Sequence, residues 1–119
     1  MVDRLPMVRA FLSRQRREAA AAEARAAVLR ARAGEVAGML CREFGATEVI
    51  LFGSLVEGDP HAGSDVDLAV RGIPPDRYFE ALARAADMLG CDVDLVELES
   101  ARPSLRSRID ETGVALAQE

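Results

Sequence analysis

The chain has 119 residues, half of them apolar and only 4% aromatic, and a formal net charge of −5. That length suits one domain with an aliphatic, alanine-rich core and excludes a core plus a separate substrate domain. Every basic residue is arginine, which excludes a P-loop lysine, a Schiff-base lysine and a lysine general base.

No apolar run approaches the ~18 residues of a membrane span. Arg4, Arg9, Arg14, Arg16 and Arg17 punctuate the N-terminal region where a signal peptide would carry its apolar block. A cytoplasmic location with no membrane contact is therefore expected. Charge is uneven along the chain. Residues 1–43 carry nine Arg against five acids, and residues 44–119 carry six Arg against fifteen. An acidic second half argues against nucleic acid as a partner, because phosphate contacts need clustered cations. Cys41 and Cys91 are expected as two reduced, buried thiols rather than a disulfide or a metal pair.

Taken in order, residues 3–17 read as a short helix, with Pro6 in its first turn and Leu5, Val8, Phe11 and Leu12 on one side. A longer helix is expected from about Glu18 to Phe44, rich in Ala and Arg, the best helix formers. Its stretch from Ala19 to Ala27 is nearly all small residues. Segment 1–27 therefore reads either as an appendage that docks on a partner or a second copy, or as a solvated helix. The domain division expected is an N-terminal helical extension over 1–35 and the main domain over 36–119, with a homo-oligomer through the N-terminal helices as one outcome.

Gly45 ends the long helix, and Glu48–Phe52 is a short buried strand. Residues 57–64, dense in Gly, Pro, Asp and Ser, must be a loop. Asp65–Val70 is a second strand. Pro75 opens a helix to Leu89, with Tyr78, Phe79, Leu82, Ala85, Ala86 and Leu89 expected inward, and Gly90 caps it. Cys91–Leu98 is a third strand, Pro103–Ile109 a last short helix, and Val114–Leu116 an extended end. This order predicts a small α/β (α+β) domain built on one mixed sheet with flanking helices.

The chemistry concentrates in Leu51–Leu68. Strand alternation puts Asp65 and Asp67 on one face, ~6.6 Å apart along the backbone. Adjacent carboxylates repel and lose solvation, so a fold keeps them mainly where a cation sits between them. Asp94, between Val93 and Leu95, would complete a three-carboxylate cluster, with Asp92 as its rival. Such oxygen donors suit Mg²⁺ or Mn²⁺ rather than zinc, and a pair of these ions supports phosphoryl or nucleotidyl transfer. Gly53 and Ser54, directly after a strand, are candidates to hold anionic oxygens. The lone His61 reads as a solvated loop residue, so no Ser-His-Asp or Cys-His arrangement is supported.

At these residues the sequence resembles a known family. LFGS, then GSDVDLAV, then VDLVEL is similar to the minimal nucleotidyltransferase domain of the DNA polymerase β-like superfamily, over about residues 36–117. The resemblance implies transfer of NMP from an NTP, with ATP expected, using two Mg²⁺ ions. It implies Gly53, Ser54 and Ser64 as nucleotide-binding residues, and Asp65, Asp67 and Asp94 as metal ligands, with Asp94 also deprotonating the acceptor hydroxyl. Many such domains are antitoxins that silence a HEPN-domain ribonuclease toxin by adding AMP to a tyrosine, so a HEPN-type toxin is the implied partner. One departure stands out: many relatives have Ala-Arg-Gly after the Gly-Ser pair, whereas this chain has Val56-Glu57-Gly58. Glu57 replaces a cation near the expected phosphates, with Arg71 or a partner's arginine as candidate substitutes. The rival reading is a binding module that neutralises its partner by occupancy alone, with helices 1–44 as the interface.

Overall fold

The computed structural model describes residues 4–58 and 65–118. Helix α1 spans Leu5–Phe44, strand β1 Glu48–Phe52, and the one-turn helix α2 Ser54–Glu57. Strand β2 covers Val66–Arg71, a 3₁₀ turn Pro75–Arg77, and helix α3 Tyr78–Leu89. Strand β3 is Val93–Glu97, helix α4 Pro103–Thr112, and strand β4 Val114–Gln118.

One difference from expectation is at the start. The two helices expected over 3–17 and 18–44 are a single helix of 40 residues. Between Gln15 and Ala22 the chain offers no Gly, Pro or capping residue, and Arg, Glu and Ala all propagate a helix, so nothing stops it. Gly45, at φ 76°, ends it in the left-handed conformation that favours glycine. The boundary expected at residue 35 falls inside this helix.

The four strands form one mixed sheet in the order β3-β2-β1-β4. β1 pairs antiparallel with β2 and β4, while β2 and β3 run parallel. A parallel pair needs a crossover, and α3 supplies it. Alternation then sorts the core into two layers. Val49, Leu51, Val66, Leu68, Val70 and Leu95 pack with α1 and α3, through Val36, Leu40, Ala81, Ala85 and Leu89. On the opposite face Ile50, Phe52 and Ala69 pack with Leu98 and Ile109. Helix α4 packs on that second face through Leu105 and Ile109.

Phe79, expected inward, is 78% exposed, and Ala81 is buried in its place. The packed stripe runs through Tyr78, Ala81, Leu82, Ala85 and Leu89, at helical spacings of three and four, and Phe79 falls outside it.

Candidate active site

The site is built where three strand ends meet. β1 delivers Phe52, and Phe52 is the register partner of Asp67 on β2. Asp67 in turn is the parallel partner of Asp94 on β3. Phe52, Asp67 and Asp94 therefore form one row across neighbouring strands, ~4.8 Å apart from strand to strand. By alternation that row lies on the face opposite α1 and α3. Asp67 is the buried charged residue of the described chain, 8% exposed, whereas Asp94 is open to solvent on the edge strand.

Gly53 makes the space for Asp67. The backbone turns there with φ 76°, a region that side chains rarely adopt. A Cβ on Gly53 would lie 2.9 Å from Asp67 Cγ and closer still to Oδ2. The carboxylate thus rests against the bare backbone of the turn. The sequence pattern marked Gly53 as a residue that admits a phosphate; its fit to Asp67 emerges only once β1 and β2 are paired. Ser54 follows, half-buried, as the first residue of α2.

The register also separates Asp94 from its rival. Asp92 precedes β3, and its carbonyl accepts a hydrogen bond from the Val66 amide at 3.2 Å. Asp94, not Asp92, stands beside Asp67. Asp65 sits in a bend before β2 and is exposed, because strand alternation begins at Val66. It lines a groove of about 500 Å³ with Val28, Leu29, Arg32, Leu89 and Cys91. Among the described residues no three His, Cys, Asp or Glu side chains are gathered as a metal-holding group. The structure brings Asp67 and Asp94 together and leaves Asp65 at the edge. Ser64 and His61 lie outside the described residues.

Glu57, the departure noted above, ends α2, and its Oε2 accepts a 2.6 Å ion-pair hydrogen bond from Arg108 Nη2 on α4. Its charge is balanced from across the chain. Arg71 is not that counter-charge. It pairs with Glu48 at the far end of β1 from Phe52, with Nε 3.3 Å from Glu48 Oε1, so it is no substitute for the missing cation.

Tyr78 was expected only as an apolar contact. Its hydroxyl donates a 2.6 Å hydrogen bond to the Leu95 carbonyl, tying α3 to the strand that carries Asp94. Burial pushes the phenol's pKa up, and the negative charges of Asp94 and Glu97 push it further. The Cys91 thiol is likewise raised, first by burial and then by Asp65 and Asp92, with Arg32 opposing. Neither Cys41 nor Cys91 is in a disulfide, and both are half-buried.

A buried carboxylate beside a second one is an all-oxygen donor set that fits a hard divalent cation. Asp67 and Asp94 are the residues that would hold it. A profile of the family "Polymerase beta, Nucleotidyltransferase" matches residues 37–119. The chain belongs to that family. The match contains Gly53, Asp65, Asp67 and Asp94, and it leaves the first 36 residues outside. Among solved structures, a chain of a toxin–antitoxin crystal structure with AMP-PNP is 30% identical, with a TM-score of 0.61, covering 72% of this chain and 73% of that one. A minimal nucleotidyltransferase structure is 27% identical, with a TM-score of 0.64, covering 75% of this chain and 93% of that one. A Shewanella oneidensis complex of tri-AMPylated HEPN toxin with MNT antitoxin shares the fold, at 24% identity and a TM-score of 0.61, covering 76% of this chain and 73% of that one. No curated protein matches the chain by sequence. The chain thus carries the family's nucleotidyltransferase domain with its mixed α/β fold.

Proposed function

We propose that the chain is a Mg²⁺-dependent adenylyltransferase that moves AMP from ATP onto a hydroxyl of a partner protein, as the antitoxin of a HEPN-type ribonuclease toxin. The observation that carries this reading is the Asp67–Asp94 pair, aligned across β2 and β3 beside the Gly53 turn. The toxin–antitoxin relative with AMP-PNP and the AMPylated HEPN complex support the nucleotide and the partner.

In this reading Asp67 and Asp94 hold the metal, with Asp65 joining from the bend before β2. The bound ions, Mg²⁺ or Mn²⁺, supply charge stabilisation for the attacking and leaving oxygens. Gly53, Ser54 and Ser64 hold the triphosphate. Asp94, open to solvent on the edge strand, accepts the proton of the acceptor hydroxyl as its oxygen bonds to the α-phosphorus. The bond from that phosphorus to the bridging oxygen breaks, and pyrophosphate leaves with the electron pair. The acceptor approaches past the edge strand. Among the described residues no helix is long and apolar enough to cross a membrane, and the reading places the protein in the cytoplasm.

The test is label transfer from α-labelled ATP to the product of the neighbouring gene. Asp65→Asn with Asp67→Asn should abolish it. A double variant that transfers label at the parental rate would overturn the reading. A second reading, neutralisation by binding alone, is favoured by Glu57 standing where many relatives have an arginine. It predicts that the same double variant still neutralises the partner in full.

A further inference from the structure

The first half of α1 stands apart from the domain. Residues 4–23 are exposed throughout, ~30 Å of helix ahead of the groove that Ala24 and Arg25 line with the domain. Helices in water draw most of their stability from a packed amphipathic face, so a bare arm of this length calls for cover. Leu5, Val8 and Leu12 are 57%, 48% and 44% exposed along it.

The stripe these residues begin has a period. Leu5, Val8, Leu12, Gln15, Ala19, Ala22, Ala26, Leu29, Ala33, Val36 and Leu40 follow one another at alternating spacings of three and four. That is a heptad seam. Its C-terminal end is already satisfied inside the domain, where Ala33, Val36 and Leu40 are fully buried. The N-terminal end continues the same seam into solvent.

We propose that the arm is a homodimerisation element, in which two copies of α1 pair antiparallel about a two-fold axis at Arg17. The geometry points to this occupant because the seam is complementary to its own reverse. Antiparallel pairing sets Val8 against Ala26 of the second copy, Leu12 against Ala22, and Gln15 against Ala19. Each larger side chain meets an alanine, so the helices approach closely without voids. Leu5 then meets Leu29, the point where the domain begins to cover α1. Charge is divided in this register, since Arg16 and Glu18 each face their own copies near the axis while Arg9 finds an opposite charge. Arg9 and Glu23 both flank the seam on one side, and antiparallel pairing puts Arg9 of one copy opposite Glu23 of the other. Within one copy Glu23 is paired with Arg30 on its own helix. A parallel pair would instead stack Leu on Leu at one end and Ala on Ala in the middle, with Arg4 beside Arg9 and Glu18 beside Glu23 across the flanks. An isologous two-fold contact of this kind closes on itself and yields a dimer rather than a filament. This inference is independent of the catalytic reading, because the arm lies outside the residues matched to the family.

The experiment is sedimentation equilibrium of the full chain, with cysteine cross-linking to fix the register. The expected mass is twice the 12.8 kDa of one chain. Leu12→Glu should return it to a single chain with unchanged far-ultraviolet circular dichroism from the domain. A Leu12→Cys copy mixed with an Ala22→Cys copy should cross-link on mild oxidation. Arg9→Glu should weaken the dimer roughly fivefold through its two symmetric pairs, and adding Glu23→Arg should restore it. Monomeric parental protein would overturn the proposal, as would efficient self-linking of the Ala22→Cys copy, which signals a parallel pair. A monomer that binds anionic vesicles or a helical partner protein through the arm would overturn it in favour of that occupant.

Discussion

Arg108 on α4 donates to the Glu57 carboxylate at the end of α2, joining elements 51 residues apart in sequence at a distance of 2.6 Å. Arg108 is 60% exposed and Glu57 28%, so the pair sits at the surface end of the contact. Solvent-exposed pairs of this kind contribute about 0–1 kcal/mol. Glu57→Gln and Arg108→Gln should each lower thermal stability by no more than a few degrees, and less at high salt. A double-mutant cycle should return a coupling energy of about 0.5 kcal/mol.

Gly53→Ala is expected to be the most disruptive single-atom change in the site. The added Cβ meets the Asp67 carboxylate, and the positive φ is strained for alanine at about 1 kcal/mol or more. Chemical denaturation should show the folded state retained with a loss of a few kcal/mol, while label transfer falls to background. Unchanged transfer would separate Gly53 from the catalytic row.

The register makes a prediction about aspartates that are two residues apart. Asp94→Asn should lower the transfer rate by a hundredfold or more, in the range of removing a positioned acid or base. Asp92→Asn, ahead of the strand, should leave the rate within about twofold, the size of an ordinary surface change below ~0.5 kcal/mol. Steady-state rates at saturating ATP check both. Mg²⁺ titration of Asp67→Asn should show a weaker metal requirement midpoint than the parental protein.

Alkaline pH should destabilise the fold in a defined order. The Cys91 thiol and the Tyr78 phenol are both raised above their ordinary values of 9.0 and 10.0. At a pH above those values the unfolded chain has released the proton that the folded chain still holds, so stability falls as pH rises. The contribution is complete below the unfolded values and is lost progressively above them. Thermal melts between about pH 8 and pH 11 should show this fall. Cys91→Ala should flatten its lower part and Tyr78→Phe its upper part. Tyr78→Phe should also cost about 0.5–1.5 kcal/mol at neutral pH, through the lost bond to the Leu95 carbonyl.

Much of this protein was legible in its sequence. The β1 strand, the Gly53 turn, the crossover helix ended by Gly90 and the third strand follow from apolar runs bounded by Gly and Pro. Those signals are local, since they report what a few neighbouring residues can adopt. The aspartates were legible as chemistry for the same reason, because a carboxylate in an apolar strand needs a cause wherever it occurs.

The remainder is a matter of pairing, which no local signal carries. Only the parallel register of β2 and β3 sets Asp94 rather than Asp92 beside Asp67. Only the start of β2 at Val66 leaves Asp65 on a bend, outside the alternation that would have aligned it. Arg108 reaches Glu57 because α4 folds back over the second face, while Arg71 is carried to the far end of the sheet by the antiparallel β1–β2 pair. Gly53 is the point where both kinds of information meet. Its residue type announced a turn, and the packed sheet revealed that the turn exists to seat the Asp67 carboxylate. Residue types determine which groups are present and how the backbone bends locally, whereas strand register and helix docking determine which of those groups come within a few ångströms.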